Sequence, residues 1–566
     1  MIPEMDLATA QQMVEQLQQQ LQARHPGAPV QCLQTHISWV LLAGDKAYKL
    51  RKPLNLGFLD YSTRALRRHG SEEELRLNRR TAPELYEALV PITGTPQQPV
   101  WGGDGEAIDY AVQMRRFEQD GLLAVLAARG ELQPEQLDAL ALQVAQMHAV
   151  AEVSAPGAPH GDPMGICHAA ADNFGTLRGR LHSADERAML QRLLRWTRAE
   201  SARLAPLFQQ RWQQGWIREC HGDLHLGNLV LLQGKPVPFD AIEFSPAFRW
   251  VDVMADLAFL VMDLLHRDRP DLAWRVLNTW LEQTGDYAGL ETLRYFLVYR
   301  ALVRAKVAAL QGLPEATAYL QLADRLSQPS QPRLWIMHGL SGSGKSYQAQ
   351  ALSAHTGAIR IRADVERKRL FGLAPLASSH GQADIYTAEA SEQTYARLGQ
   401  LAQQVLQAGY PVVLDATFMQ QQHRAPMQQL AARLGVPFQI LSLQATPELL
   451  RERVQQRQQQ GQDASEADLA VLESQLAHVQ PLAAEELPQV PEWPLLQRLQ
   501  GERETLGHYL SGHPLDPYRD ELRGLIGHDL GDLDRIWNDR PQEERRGWRQ
   551  EASTVVAGQV VGMRKR

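Results

Sequence analysis

Residues 339–346 read GLSGSGKS and lie between an apolar stretch, residues 335–337, and a segment of helical periodicity that begins at Lys345. The octapeptide is a full match to G-x-x-x-x-G-K-S, a pattern in which a strand leads through a glycine-rich loop into a helix. Glycines let backbone N–H groups close around phosphate, and the helix N-terminus adds a favourable dipole. The stretch therefore predicts a triphosphate-binding loop on an α/β sheet.

Each position around this loop has an expected partner. The backbone of the loop residues is predicted to cradle the phosphates, namely Gly339, Leu340, Ser341, Gly342, Ser343 and Gly344. Lys345 is expected to reach the β- and γ-phosphates, and Ser346 to offer its hydroxyl to magnesium. Asp415, which follows the apolar run 412–414, has the usual place of the carboxylate on the metal side. ATP and Mg²⁺ are thus the expected ligands.

Two further features near the loop leave alternatives open. Asp364, in IRADVERKR, follows the second strand, where it could accept the proton of an attacking hydroxyl or could cap the next helix. A later helix carries Arg451, Arg453 and Arg457, and the last two share one face. That face either closes over the transferring phosphoryl group as a lid or is a solvated helix surface.

The chain is predicted to be multidomain. Residues 325–332 (RLSQPSQP) interrupt a helical pattern with prolines and small polar residues, which indicates a boundary. About the first 115 residues mix strand-like runs with helices and the following ones are mostly helical, as in a two-lobed α+β protein-kinase-like domain. Downstream, strands and helices alternate as in an α/β domain with a parallel sheet. We expect domains at 1–325 and 333–485, and a short α-rich, partly disordered tail at 491–566.

The segment 333–485 resembles the small P-loop kinases and ATPases of the AAA type that are grouped with zeta toxins and polynucleotide-kinase-like proteins. The resemblance lies in RADVERKRL and LDATF, residues 362–370 and 414–418. It implies ATP, magnesium and a three-layer kinase-like fold. It leaves the phosphate acceptor open.

A second constellation lies in the amino-terminal half. Residues 221–228 read HGDLHLGN, which gives Asp223 and Asn228 the D-x-x-x-x-N spacing of a kinase catalytic loop. At this spacing a carboxylate can accept the proton of the attacking hydroxyl while an amide oxygen holds a metal ion on the phosphate. Residues 229–244 then predict a hairpin that turns at Gly234, six residues from both Asn228 and Asp240. An antiparallel hairpin brings these two side chains together, so Asp240 is the expected second metal ligand.

This constellation resembles the aminoglycoside phosphotransferase and choline kinase-like family, relatives of the protein kinases. The matching stretches are HGDLHLGN, FDAIEF and DVMADLAFL, residues 221–228, 239–244 and 252–260. The family also needs a strand lysine that grips the α- and β-phosphates. Lys49 and Lys52 lie on opposite faces of a predicted hairpin, and resemblance to the family's A-Y-K pattern favours Lys49.

The lysine of this family pairs with a helical glutamate. In SEEELRLNRR, Glu74 is the favoured partner and Glu73 the second choice. Ser71 and Glu74 also fit a capping box, which would make Glu74 a helix-start residue instead. The run 110–117 is predicted to form the hinge between the lobes. A glycine-rich flap and an acidic substrate cluster are not recognisable, so antibiotic modification is not implied.

Composition and charge limit the possible functions. The net charge of −7 disfavours a general nucleic-acid binder. The start of the chain does not have the pattern of a secretory signal, and the apolar run 257–265 is too short to span a bilayer. The three cysteines form neither a disulfide framework nor a zinc ligand set. These features predict a soluble cytoplasmic protein that acts on a small molecule; they do not predict its oligomeric state.

The last part of the chain has a different character. Residues 501–518, GERETLGHYLSGHPLDPY, resemble a stretch of the alpha subunit of bacterial DNA polymerase III. No polymerase carboxylate set accompanies them. The sequence therefore predicts an ATP-dependent kinase with two nucleotide sites that phosphorylates a small hydroxyl-bearing acceptor. The alternatives are a P-loop ATPase regulated by a nucleotide-sensing kinase-like domain, or a replication-associated protein.

Overall fold

The structure is a computed structural model in which residues 4–57, 59–377, 385–460, 465–483 and 486 are described, with the side chains of 459 and 460 excepted. Residues Met1–Leu482 form one compact unit. The predicted tail, 491–566, lies outside the described residues. Below, the amino-terminal region means residues 4–327 and the P-loop region means residues 334–482.

The amino-terminal region begins with an antiparallel sheet. Its described strands follow the order β1-β2-β3-β6-β4-β5, and their bounds are β1 Gln31–Gln34, β2 Ser38–Ala43, β3 Lys46–Arg51, β4 Tyr86–Thr95, β5 Gln98–Trp101 and β6 Asp109–Arg115. Two helices belong to this lobe, α1 Leu7–Arg24 and α2 Arg64–Asn78. The predicted β2–β3 hairpin is present and turns at Gly44, whose φ is 58°. The sheet and α2 form the first lobe.

The second lobe is mostly helical, as predicted for the residues after about 120. Its helices are α3 Leu123–Ala128, α4 Pro134–Val150, α5 Pro163–Arg178, α6 Ala184–Gln213, α7 Pro246–Arg249, α8 Val253–His266, α9 Pro270–Thr284, α10 Leu290–Gln311 and α11 Glu315–Ser327, with 3₁₀ turns at Gln119–Gly121, Leu226–Asn228 and Tyr287–Gly289. Two short antiparallel pairs join them: β7 Ile217–Glu219 with β10 Trp250–Asp252, and β8 Leu229–Leu232 with β9 Lys235–Pro238. None of the described helices is long and apolar enough to cross a membrane.

The P-loop region has the predicted alternation of strands and helices. In the described residues its parallel sheet has the order β12-β13-β11-β14, with β11 Leu334–His338, β12 Ile359–Arg362, β13 Val412–Asp415 and β14 Phe438–Ser442. The helices are α12 Lys345–Thr356, α13 Ala363–Leu370, α14 Ala388–Gln407, α15 Gln421–Leu434, α16 Pro447–Gln460 and α17 Leu469–His478. This region is an α/β P-loop fold, and its ligand loops follow the carboxyl ends of the strands.

The two regions pack against each other inside one compact unit. Asn278 on α9 donates to the carbonyl of Ala358 at 3.1 Å and accepts the N–H of Arg360 at 2.6 Å. A single cluster of buried apolar side chains extends from the helical lobe into the P-loop sheet. Helix α11 ends at Ser327 and β11 begins at Leu334, and the division into domains there remains a prediction.

Two local predictions are wrong. Helix α2 begins at Arg64 behind the cap residue Thr63, so Ser71 and Glu74 lie inside the helix and form no capping box. Most of the proposed hinge, residues 110–117, belongs to strand β6, which pairs with both β3 and β4. The start of α2 is set locally, because the Thr63 side chain accepts the N–H of Leu66.

A buried ion network stabilises the helical lobe. Arg211 on α6 is 1% exposed and donates to both carboxylate oxygens of Asp252 and both of Asp286, at 2.6–2.8 Å. These two aspartates lie at the start of α8 and before α10. Because all three charges are buried, loss of the arginine leaves two carboxylates without a cation.

Replacement of Arg211 tests this network. We expect Arg211→Ala to lower the free energy of unfolding by about 3–5 kcal/mol, the usual cost of breaking a buried ion pair from one side. Arg203→Ala is the matched control on the same helix, because Arg203 is 49% exposed and pairs with Glu200 and Glu291, which are 20% and 45% exposed. The control should cost no more than about 1 kcal/mol. Urea unfolding followed by tryptophan fluorescence distinguishes them, and equal losses would contradict the account.

Candidate active sites

Lys49 lies in the cleft between the two lobes. Its Nζ donates to Glu74 Oε1 at 2.9 Å and to Asp240 Oδ1 at 2.6 Å. Burial alone would lower the pKa of Lys49, but the carboxylates of Asp240 and Glu74 raise it well above its usual value. Lys52 instead donates to the carbonyl of Thr35 at the surface. Of the two predicted lysines, Lys49 is thus the one that faces the cleft, and it carries a positive charge.

Glu74 is fully buried and accepts hydrogen bonds from two cationic side chains. Its second oxygen accepts from Arg51 at 2.7 Å, and Arg51 also donates to Glu243 at 2.7 Å. Glu73, the second choice as the partner of the lysine, is bonded to Arg76 and Arg249 instead. The sequence did not reveal that Glu243, within FDAIEF, completes this network. The network fixes the position of α2 relative to the cleft.

The loop HGDLHLGN brings Asp223 and Asn228 together. The Asn228 amide nitrogen donates to Asp223 Oδ2 at 2.9 Å and to the Asp223 carbonyl at 3.0 Å. His225 Nε2 lies 3.4 Å from the same Asp223 Oδ2. Burial opposes ionisation of Asp223, but His225 holds the pKa of this carboxyl below its usual value. The carboxylate is therefore ionised at neutral pH and can accept a hydrogen bond from a hydroxyl.

Asp240 follows the β8–β9 hairpin in a strained backbone conformation. Its φ is 60°, in the left-handed region, and its N–H donates to the hydroxyl of Tyr86 at 3.1 Å. Just before it, the N–H of Phe239 donates to the carbonyl of Asn228 at 3.0 Å, so the hairpin joins the two predicted metal residues. Burial opposes ionisation, but Lys49 lowers the pKa of Asp240. An ionised carboxylate beside an amide is an oxygen donor set that fits Mg²⁺.

Asp256 holds the backbone of the loop 221–228 at its amino-terminal end. Its two carboxylate oxygens accept from the N–H groups of His221 at 3.2 Å and Gly222 at 2.8 Å, and His148 Nε2 lies 3.1 Å from it. Burial opposes ionisation of Asp256, yet His148 lowers its pKa to about 2. Cys220 lies in the same cluster, where burial raises the pKa of its thiol well above normal. A protonated thiol and a carboxylate already bonded to the loop make this cluster a support for the loop and a poor metal site.

Glu219 joins the two lobes. It lies at the end of β7, and its side chain is 4% exposed. Its carboxylate accepts from Arg76 at 2.6 and 2.9 Å and from Arg249 at 3.0 Å. Its backbone carbonyl accepts from Arg80 at 2.9 Å. Arg76 belongs to α2, the helix that carries Glu74, and Arg80 follows it. Burial would raise the pKa of Glu219, but Arg76 and Arg249 lower it to about 2. Glu219 therefore connects α2 to β7, the strand that leads into the loop 221–228.

The P-loop has the backbone geometry that its glycines predict. Gly339 and Gly342 have φ values of 144° and 84°. A Cβ at these positions would lie 2.5 Å from the carbonyl of Leu443 and 2.9 Å from that of Leu450, so only glycine fits. Lys345 is buried and its Nζ donates to the carbonyl of Leu340 at 2.7 Å. Burial lowers the pKa of Lys345 to about 8.

The predicted metal side of the P-loop contains Ser346 and Asp415. Ser346 is the second residue of α12, which follows β11, and Asp415 ends the neighbouring strand β13, so both lie at the carboxyl edge of the sheet. Asp415 is 6% exposed, and its Oδ2 has no hydrogen bond within the described part of the chain. Arg362 Nε lies 3.9 Å from that oxygen. A buried carboxylate oxygen left without a hydrogen bond fits a divalent cation.

The other predicted P-loop residues are placed as follows. Asp364 is the second residue of α13, whose cap position is Arg362, so the interpretation of Asp364 as a helix cap is wrong. Arg453 donates to the carbonyl of Gly342 at 3.3 Å, and Arg457 donates to that of Ala467 at 2.6 Å. Arg453 therefore contacts the loop directly, as a lid residue would. The roles of Asp364, Arg453 and Arg457 remain predictions.

Gln475 is a P-loop contact that sequence reasoning missed. Its Oε1 accepts the N–H of Ser341 at 2.8 Å from helix α17, 134 residues away. Helices α16 and α17 share a small apolar core of Leu450, Val454 and Leu472, with Leu340 packed against it. No local pattern marks Gln475, because it lies in an ordinary amphipathic helix; only the fold brings it to the loop.

Residues 334–482 match the family profile described as an AAA domain, which confirms the resemblance of the P-loop region. A Mycobacterium tuberculosis (strain H37Rv) protein described as uncharacterized is 29% identical over 453 residues, which is 78% of this chain and 89% of that protein. The DNA polymerase III alpha subunit of Xylella fastidiosa (strain Temecula1) is 47% identical over 90 residues, only 15% of this chain and 8% of that protein.

Solved structures that are similar to this chain include a choline kinase, an aminoglycoside phosphotransferase and an APS kinase. A choline kinase from Cryptosporidium parvum aligns over 56% of this chain and 94% of its own, with 11% identity and a TM-score of 0.37. A thermostable mutant of an aminoglycoside phosphotransferase aligns over 54% of this chain and 97% of its own, with 14% identity and a TM-score of 0.35. The Mycobacterium tuberculosis APS kinase aligns over 32% of this chain and 99% of its own, with 20% identity and a TM-score of 0.22.

The low pKa of Glu219 predicts an acid-dependent loss of stability. A carboxyl whose pKa is lowered by folding stabilises the protein fully above its unfolded pKa of about 4.3 and loses this effect as the pH falls toward the folded value. Glu219→Gln should therefore have a lower urea midpoint than the parent at pH 7, and the gap should narrow between about pH 4.5 and pH 2. Glu72→Gln, an exposed carboxylate of α2, is the control and should leave the midpoint unchanged. If the difference between the urea midpoints of the parent and of Glu219→Gln stays constant down to pH 3, this explanation is contradicted.

Proposed function

We propose that the protein is an ATP-dependent kinase with two nucleotide sites, each of which transfers the γ-phosphoryl group to a small hydroxyl-bearing acceptor. The observation that carries the proposal is the cleft in which Lys49 bonds Asp240 while Asn228 bonds Asp223. One cation for phosphate, two oxygen donors for a metal and one carboxylate for a hydroxyl are the parts that phosphoryl transfer requires.

At the first site each residue has a separate task. Lys49 binds the α- and β-phosphates, and Glu74 holds its ammonium in place. Asn228 and Asp240 would hold Mg²⁺, which when bound neutralises charge on the phosphates. The acceptor's hydroxyl oxygen forms a bond to the γ-phosphorus as the bond to the β–γ bridging oxygen breaks. ADP leaves with that oxygen, and the hydroxyl proton goes to the Asp223 carboxylate.

At the second site the backbone performs more of the binding. The N–H groups of the glycine-rich loop and the N-terminus of α12 surround the phosphates. Burial lowers the pKa of Lys345 to about 8, and the negative charge of a bound triphosphate would raise that pKa again and stabilise the ammonium. Ser346 and Asp415 would hold Mg²⁺, Asp364 would accept the proton of the acceptor, and Arg453 and Arg457 would cover the transferring group.

Separate substitutions at the two sites test the proposal. Asp223→Ala should lower acceptor-dependent ATP turnover at the first site by at least about a hundredfold, because it removes the proton acceptor. Lys345→Ala should abolish turnover at the second site, because the triphosphate loses its cation. ADP release is measured with a panel of hydroxylated metabolites. Asp120→Ala, an exposed carboxylate paired with Arg129, is the control and should match the parent.

Two outcomes would overturn this assignment. If Asp223→Ala leaves every acceptor-dependent rate intact, the amino-terminal region is not a kinase. If Lys345→Ala alone removes all turnover, the amino-terminal region is instead a nucleotide sensor that regulates a P-loop ATPase.

A further inference from the structure

The carboxyl end of helix α8 borders the loop 221–228. Asp263 Oδ2 accepts the N–H of Leu226 in that loop at 2.9 Å, which attaches the helix to the loop. Arg267, one turn further on, donates to the other oxygen of Asp263 at 3.3 Å. Asp263 is therefore already engaged by a backbone N–H and by one arginine.

Arg304 belongs to α10 and lies beside this end of α8. Its guanidinium carbon is 5.7 Å from the ring centroid of Tyr319 on α11, and the same ring stacks on His266 of α8 at a centroid distance of 3.7 Å. Within the described part of the chain, Tyr319 is the contact of the Arg304 guanidinium, and no carboxylate lies at ion-pair distance from it. Arg304 is partly buried, so its N–H groups are donors that a bound anion can use.

The charge of Arg304 acts on the residue that is the proposed proton acceptor. Arg300, one turn earlier on α10, lies over the ring of Phe259 at 4.7 Å, and that ring is in edge contact with His225 at a centroid distance of 5.3 Å. Arg304 shares this face of α10, because residues four positions apart are neighbours on a helix surface. Burial opposes ionisation of Asp223, and the histidines of the loop and then Arg304 lower the pKa of its carboxyl.

Two further arginines add positive charge at this end of the helical lobe. Burial lowers the pKa of His266, Asp263 opposes this effect, and three guanidinium groups lower the pKa further, those of Arg267, Arg304 and Arg325. These arginines come from α10, from α11 and from the end of α8. The cleft beside the loop 221–228 is therefore positively charged on the side that these three helices form.

We propose that the acceptor of the first site carries an anionic group, a phosphate or a carboxylate, and that Arg304 binds this group while the acceptor's hydroxyl lies at Asp223. The inference rests on the proposed function of the first site. A guanidinium is a planar fork whose N–H groups match two oxygens of a phosphate or a carboxylate. A cationic acceptor would place its charge close to Arg304 and would be repelled.

Binding of simple anions tests the inference without knowledge of the acceptor. Inorganic phosphate and, in a second arm, acetate are titrated into the full chain with saturating AMP-PNP and Mg²⁺ and followed by ligand-observed nuclear magnetic resonance. The parent carries Lys345→Ala, which removes the phosphate-binding cation of the P-loop. Arg304→Gln should bind the anions about tenfold more weakly, because a charge-assisted pair is lost. Arg304→Lys should fall between the two, since it keeps the charge and loses the fork.

Arg294→Gln is the matched control on the same helix. Arg294 also lies over a tyrosine ring, that of Tyr410 at 5.9 Å, and it donates to Ser330 at 2.7 Å. The control should leave the affinity for both anions unchanged.

Turnover with matched acceptors gives a second readout. ADP release from ATP is measured in the same parent with glycerol, glycerate, glycerol 3-phosphate and choline. The two anionic acceptors should have a higher kcat/KM than glycerol and choline, and Arg304→Gln should remove this preference chiefly by raising KM.

The outcomes separate the inference from the proposed function. Weaker binding of phosphate or acetate in Arg304→Gln, with Arg294→Gln unchanged, supports the inference, and the anion affected identifies the group. No anion binding by the parent, equal binding in Arg304→Gln, or a higher kcat/KM for glycerol or choline overturns the inference and leaves the proposed function intact. If the parent binds no AMP-PNP, the proposed function of the first site fails, and the inference fails with it.

Discussion

The ammonium of Lys49 lies between carboxylates of the two lobes, 2.9 Å from Glu74 and 2.6 Å from Asp240, and the cleft depends on this contact. Burial opposes its charge, and the carboxylates restore it. Lys345 in the P-loop shows the opposite case, because it bonds a carbonyl and burial lowers its pKa to about 8. The carboxylates stabilise the charge of Lys49 before any ligand binds; in the proposed function the phosphates stabilise that of Lys345.

The supports of both sites come from distant parts of the chain. Glu219 holds α2, Asp256 holds the loop 221–228, and Gln475 bonds the P-loop backbone. Between the regions, Asn278 and Glu282 fix the strand that precedes Asp364. Residues Met1–Leu482, which include all of these supports, form one compact unit.

The sequence predicted those parts of the fold whose signals are local. The glycine loop, the two hairpins and the alternation around β11–β13 were all visible, because turn chemistry and apolar periodicity act over a few residues. Two expectations failed: Ser71 and Glu74 imitate a helix start although Thr63 caps α2, and residues 110–115 are strand and not hinge. Gln475 and Glu282 gave no signal, since their contacts span 134 and 78 residues.

We propose that the chain has two nucleotide sites. The number of nucleotides bound per chain tests this proposal most directly. Isothermal titration calorimetry of AMP-PNP with Mg²⁺ should give two equivalents for the parent chain. Lys49→Ala and Lys345→Ala should each leave one equivalent, and the double variant none. One equivalent in the parent, or two in either single variant, would contradict the account.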